Sequence, residues 1–332
     1  GDSEPVVLLC TPRARLKKIG QTVMVGDRVL VVEPDWSGKR GAIAQVFSRQ
    51  TELGRPPIAN ANQILLVFAL ADPPLEPMQL SRFLVTAEST GISVSLCLNK
   101  ADLTTAAEHE AWRDRLSLWG YDPLFLSIQA NIGLTQVSDR LDNRITVVSG
   151  PSGVGKSSLI NYLIPAVDLR VATVSGKLRH GRHTTRHVEL FELPTGGLLA
   201  DTPGFNQPKI DCSPTTLGDY FPEVRQRLQH GSCQFNDCLH RDEPNCVVRG
   251  DWERYDHYLA FLDEAIARQQ ALDRQSNAES SIKVMTKGEG QRQAEPKLAS
   301  QSHRRPSRRT EKQSLVDLCR DIDSSMGDRD DD

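Results

Sequence analysis

Long apolar runs are missing from this chain. No stretch approaches the roughly 20 consecutive apolar residues that a spanning helix needs, so no membrane partner is expected. No charged-then-apolar leader opens the sequence either, and the expected compartment is the cytoplasm. Residue 1 is Gly rather than Met, which reads as a trimmed start and leaves an organelle open. Charge of one sign is lacking as well. Lys and Arg number 40 against 43 Asp and Glu, a formal net charge of -3, so any nucleic-acid-binding surface must be local. The seven cysteines do not form a secreted disulfide framework in a protein of this size. Cys10 and Cys97 sit in apolar runs and read as buried thiols, and Cys212 and Cys319 carry no pattern, whereas Cys233, Cys238 and Cys246 cluster around His240. Aromatic residues are almost absent beyond about Gln275, where Ser, Gln, Lys, Arg and Asp dominate; residues 275–332 are expected to be a disordered tail.

What is present is enough for two or three domains: 332 residues, 38% of them hydrophobic and 25% charged. The first part holds short β-rich runs, "VVLLC", "VMVGDRVLVVEP" and "GAIAQVF", interspersed with Arg13, Arg15, Lys17, Lys18 and Arg28, which predicts a small β-barrel or its remnant. From about Asn62 apolar strands alternate with helix-length amphipathic stretches, the signature of a doubly wound parallel α/β sheet. The strands expected are "QILLVFAL", "ISVSLCLN", "DPLFLS", "RITVVSG", "VELFEL" and "GGLLAD". A helix is predicted through "WERYDHYLAFLDEAIARQQALDR".

The segment "VVSGPSGVGKSSLIN" contains the full phosphate-loop pattern G-x-x-x-x-G-K-[ST] between a strand and a helix. Backbone N–H groups and the helix start form an anion cradle there, so Gly150, Ser152, Gly153, Val154, Gly155, Lys156, Ser157 and Ser158 are expected to bind nucleotide. Lys156 suits the β/γ oxygens and the Ser157 hydroxyl suits Mg²⁺. Base identity comes from "LNKAD". Asn99, Lys100 and Asp102 follow an apolar strand, and the Asp102 carboxylate can accept from both N1–H and the 2-amino group of guanine, a donor pair adenine lacks. In "LLADTPGF", Asp201 can hold Mg²⁺ through water while Gly204 offers its N–H to the γ-phosphate. In "FLSIQANIGL", Ser127 and the backbone after it can close over the guanine oxygen. The order along the chain is base reader, closing loop, phosphate loop, Asp-x-Pro-Gly. Cutting a Ras-like domain after its Asp-x-Pro-Gly segment and joining the old termini produces this order without changing the sheet, because the binding loops all lie at the carboxyl edge of the strands.

With "GDRV", "RPPIANANQILLVFAL", "NKAD", "GPSGVGKSSLIN", "GRHTTRHVEL", "DTPGF" and the Cys/His cluster together, the sequence resembles the RsgA/YjeQ family of circularly permuted GTPases over most of its length. The resemblance implies an N-terminal all-β OB-fold over 1–55, a permuted GTPase domain over 56–208 and a zinc-binding helical domain over 209–274. It also implies a monomer that binds GTP and GDP, recognises the small ribosomal subunit and its 16S rRNA, acts late in maturation of that 30S particle and is stimulated by it. Two departures from the pattern are read: the first OB strand or strands are expected to be missing before Val6, and Arg186 stands where a third Thr is often found.

Cys233-x4-Cys238-x-His240-x5-Cys246 offers one zinc ion per chain a closed shell of three Cys and one His, which is a structural rather than a catalytic arrangement. "GKLRHGRHTTRH" reads as the first switch, with Thr184 or Thr185 as the Mg²⁺ and γ-phosphate ligand. Phe205 stands where Ras-like proteins lead to a water-orienting Gln, and a phenyl ring cannot orient water. The resemblance points instead to His183 as the catalytic group, the alternative being a surface or RNA-contacting residue in a basic loop. At the level of the whole protein the alternative is an RNA-binding assembly checkpoint in which GTP mainly regulates affinity for the particle.

Overall fold

The computed structural model describes residues 6–54, 57–165, 188–201, 208–279, 282–287 and 291–296. Residues 1–269 form one compact unit and 270–332 a second. The first unit opens with β1 (Leu9–Pro12), α1 (Ala14–Lys18), β2 (Val29–Asp35) and β3 (Arg40–Val46). These strands form a three-stranded sheet in the order β1-β3-β2, with β1 parallel and β2 antiparallel to β3. Its core is small: Leu16, Ile43 and Val46. A separate ribbon pairs β4 (Glu52–Gly54) with β5 (Pro57–Ala59), and a bridge from Val25 to Ile58 joins it to the preceding segment. Among the described residues these ladders do not close into a barrel. The expected domain boundary after residue 55 lies between β4 and β5.

The second sheet is the largest. It takes in β6 (Gln63–Ala69), β7 (Ser93–Asn99), β8 (Leu124–Phe125), β9 (Ile145–Ser149), β10 (Glu189–Glu192) and β11 (Leu198–Asp201), in the spatial order β10-β11-β9-β6-β7-β8. All neighbours run parallel except the edge strand β10. All seven residues of β6 are buried, as expected for a central parallel strand covered on both faces. Its side chains alternate between two cores: Ile64, Leu66 and Phe68 pack in one, Leu65, Val67 and Ala69 in the other. The helices divide accordingly. Leu80, Phe83, Leu84 and Ala87 of α2 (Pro77–Glu88) and Leu116 of α3 (Ala106–Leu118) fill the first core. Leu134, Val137 and Leu141 of α4 (Leu134–Leu141) and Leu159, Ile160 and Leu163 of α5 (Lys156–Leu163) fill the second. Local sequence sets the helix starts. Pro77 occupies the first turn of α2, where its missing N–H has no partner to lose. Thr105 and Glu108 form a reciprocal capping box on α3.

Beyond residue 208 a 3-10 turn (Leu217–Tyr220), α6 (Pro222–His230) and the start of α7 (Tyr255–Glu279) enclose a third core of Phe221, Val224, Val248, Tyr258, Phe261 and Leu262, which also takes in Val85 of α2. In the second unit, β12 (Ile282–Lys287) and β13 (Gln291–Pro296) pair antiparallel, Ile282 opposite Pro296. Within the tail expected from residue 275, α7 runs on to Glu279, and the apolar and β-branched residues of "IKVMTK" suit the strand that follows.

Candidate functional site

The carboxyl ends of β6, β7, β8, β9 and β11 converge on one edge of the large sheet. The loop 150–155 joins β9 to α5 there, and two of its glycines are needed for close approach. Gly150 has φ 144° and a Cβ on it would lie 2.0 Å from the Val67 carbonyl oxygen. Gly155, which precedes α5, has φ 96°, and a Cβ on it would lie 2.3 Å from Asn99 Nδ2. Val154 is buried and anchors the loop, whereas Ser152 and Gly153 are exposed and Ser157 and Ser158 half-buried in the first turn of α5. Lys156 Nζ donates to the carbonyl oxygens of Gly150 (2.8 Å) and Pro151 (2.5 Å), which holds its charge over the loop.

Asn99 ends β7, is 3% exposed and donates through Nδ2 to the Val154 carbonyl at 2.8 Å. The strand thus fastens the expected base reader directly to the phosphate loop, and Asn99 Oδ1 is buried without a partner among the described residues. Lys100 takes a left-handed conformation, φ 59°, which turns the chain so that Asp102 lies exposed in the first turn of a 3-10 helix, Ala101–Leu103. Ser127, 1% exposed, closes its loop by exchanging backbone hydrogen bonds with Ile132 (3.0 and 2.9 Å) and accepting the Ala130 N–H on Oγ at 3.1 Å. Asp201 ends β11 with its backbone opposite Val148 of β9, one strand from the phosphate loop. His183, Thr184, Thr185, Gly204 and Phe205 lie outside the described residues.

The Cys/His cluster also comes together. The donor atoms of Cys233, Cys238, His240 and Cys246 all lie within 4.8 Å of one another. Cys233 Sγ is 3.8 Å from Cys246 Sγ, and His240 Nδ1 is 3.6 and 3.4 Å from those two sulfurs. A tetrahedral ion with bonds of about 2.3 Å to sulfur and about 2.0 Å to nitrogen requires separations of about 3.8 and 3.5 Å, so the donor set fits a metal ion. Burial pushes the Cys238 thiol up to about 12 and holds the His240 imidazole below its usual value. Residues that the sequence reading passed over shape this loop. Glu243 accepts N–H groups from Leu239, Arg241 and Asp242 at 2.8, 2.9 and 3.1 Å; although burial opposes it, these donors hold the carboxyl below its ordinary range. Tyr255 and Tyr258 donate to the carbonyls of His240 (2.8 Å) and Leu239 (2.7 Å).

The same domain is fastened to the large sheet's helices by a second set that the sequence reading missed. Arg254 is fully buried and forks onto Glu223, Nε to Oε1 at 2.7 Å and Nη2 to Oε2 at 2.5 Å. Its guanidinium also lies 4.8 Å from the ring centre of Trp119 at the end of α3 and 4.9 Å from that of Phe221. Trp119 Nε1 donates to Glu253 at 2.8 Å, Ser81 meets His257 Nδ1 at 2.8 Å, and Arg82 pairs with Glu264 at 2.7 Å. No local pattern marks these residues, because Glu223 lies 31 positions from Arg254 and the partners of Trp119, Ser81 and Arg82 lie more than a hundred positions away.

An open sheet that brings the phosphate-loop segment and the expected base reader to one edge has the layout of a P-loop GTPase, and the strand connections give it permuted order: β6, β7 and β8 precede β9 in sequence yet follow it across the sheet. Residues 46–211 match the RsgA GTPase family. The small ribosomal subunit biogenesis GTPase RsgA of Trichormus variabilis is 68% identical over 312 residues, covering 94% of this chain and 84% of that protein. Among solved structures, YloQ, a circularly permuted GTPase, superposes with TM-score 0.66 at 34% identity over 81% of this chain and 89% of its own. YjeQ from Thermotoga maritima does so with TM-score 0.66 at 30% identity over 79% and 91%. The chain belongs to the RsgA GTPase family and is a GTP-hydrolysing enzyme. No helix among the described residues is long and apolar enough to cross a membrane.

Proposed function

We propose that this GTPase acts in late maturation of the small (30S) ribosomal subunit, in the cytoplasm and as a monomer, with turnover stimulated by the particle and its 16S rRNA. The observation that supports the nucleotide half of this reading is the 2.8 Å bond from Asn99 to the phosphate loop, which ties the expected base reader to the expected phosphate site. The partner half rests on relatives named small ribosomal subunit biogenesis GTPases. In this reading Asp102 accepts from guanine, Asn99 and Ser127 fix the loops around the base, and the amides from Gly150 to Ser158, with Lys156, cradle the phosphates. Ser157, Asp201 and Thr184 or Thr185 would hold Mg²⁺, which neutralises charge on the β- and γ-phosphates when bound. Gly204 offers an N–H to the γ-phosphate, and His183 orients the attacking water. Cys233, Cys238, His240 and Cys246 would hold one structural zinc ion, the metal that favours a closed, water-free shell of this composition. The N-terminal sheet is read as an incomplete OB-fold that contributes to RNA contact.

Measuring GTP turnover with and without purified small subunits tests the proposal. A large stimulation is the expected outcome. Turnover that stays low in the presence of particles, with GTP-dependent binding retained, would establish the checkpoint role instead.

A further inference from the structure

Lys100 is held by a loop that belongs to none of the nucleotide-binding motifs. Residues 70–76 connect β6 to α2, and the Lys100 ammonium donates to the carbonyl oxygen of Asp72 and lies 3.5 Å from Asp72 Oδ2. The same loop touches both neighbouring parts of the site. The Leu70 N–H donates to the Asn99 carbonyl at 3.0 Å, and Pro73 Cδ lies 3.8 Å from where a Cβ on Gly153 would stand. Asp72 has φ 50°, a left-handed conformation that Asp and Asn accept more readily than other residues with a Cβ. The position therefore makes two separable demands, a positive φ and a carboxylate within reach of Lys100. Asn meets the first and not the second.

We propose that Asp72 is a positioning residue of the nucleotide site, which holds the Lys100 stem beside the guanine pocket and so slows nucleotide release. The proposal rests on the reading of Asn99, Lys100 and Asp102 as the guanine reader. A lysine stem left free samples many rotamers, and ordering it in advance removes that entropy loss from the binding step. The Asp72 side chain is 90% exposed, so water and salt screen its attraction and the effect is modest.

The test follows release of a fluorescent GDP analogue from the full chain. Asp72→Asn and Asp72→Gly both tolerate positive φ and both lack the carboxylate, and each is expected to release nucleotide about two- to fivefold faster at low salt. The difference should shrink at high salt, and the thermal unfolding midpoint should stay put, a combination that a merely structural role does not produce. In a Lys100→Met background, Asp72→Asn should add nothing, because the charge has lost its partner. Unchanged release in both variants, or a full additive effect on top of Lys100→Met, would overturn the proposal. Asp102→Asn serves as the control and should shift preference from guanosine to xanthosine nucleotides, since an amide can donate to the extra oxygen. If that shift appears and Asp72 is silent, only this proposal falls; if it does not appear, the base-reader reading fails and the proposal with it.

Discussion

At the scale of single residues the catalytic question turns on a histidine and a phenylalanine. A phenyl ring at position 205 can shield a water but cannot align it, so the group that orients the nucleophile has to come from elsewhere. His183→Ala is expected to lower particle-stimulated turnover by about 10²-fold or more while nucleotide affinity stays near that of the parent protein. Phe205→Ala should be milder. The measurement pairs single-turnover hydrolysis with small-subunit binding in a non-hydrolysable GTP analogue. A His183 variant that loses binding in proportion to turnover would make His183 a docking residue. Most of the candidate site was legible at this scale, because the phosphate loop and the base reader are contiguous strings whose chemistry depends on spacing alone. Asp72 was not legible, since nothing in "ADPPLEP" announces that its second residue will face Lys100.

At the scale of elements, one buried ion pair stands where the segment that carries the Cys/His cluster meets the end of α3. Arg254 gives both ends of its fork to Glu223 and stacks against Trp119 and Phe221, with no water-facing surface on which to shed its charge. Arg254→Met removes the cation and leaves a carboxylate that is itself 8% exposed, a change expected to destabilise the protein by about 3–5 kcal/mol. Adding Glu223→Gln should restore part of that loss, because the uncompensated charge disappears with it. Urea unfolding of the two variants and the parent measures the difference, and equal destabilisation by single and double variants would contradict the account. The strands and helices of the large sheet could be read in advance because apolar runs alternating with amphipathic stretches are local patterns. The ion pair could not, because neither partner stands in a stretch whose periodicity demands burial.

For the whole molecule, the prediction concerns metal. Mass spectrometry of the native protein should find about one zinc per chain. Cys238→Ser should lose the ion and loosen the segment between α6 and α7, which carries all four donors. GTP binding should largely survive, because the four donors lie on a different part of the chain from the nucleotide loops. Equal zinc content in variant and parent would rule the assignment out.

Strings of residues with a fixed chemical grammar were determined by sequence: Gly150 to Ser157, Asn99 to Asp102, and the spacing of Cys233, Cys238, His240 and Cys246. Each is a short-range arrangement, and the permuted order follows from reading them in succession. Which distant groups meet them was decided only by tertiary structure. Asn99 reaches Val154 across 55 positions, Lys100 reaches Asp72 across 28, and Trp119 reaches Glu253 across 134. Such contacts exist because parallel strands bring their carboxyl ends to one edge and helices share a core, and no local periodicity encodes which side chains then fall within hydrogen-bond range.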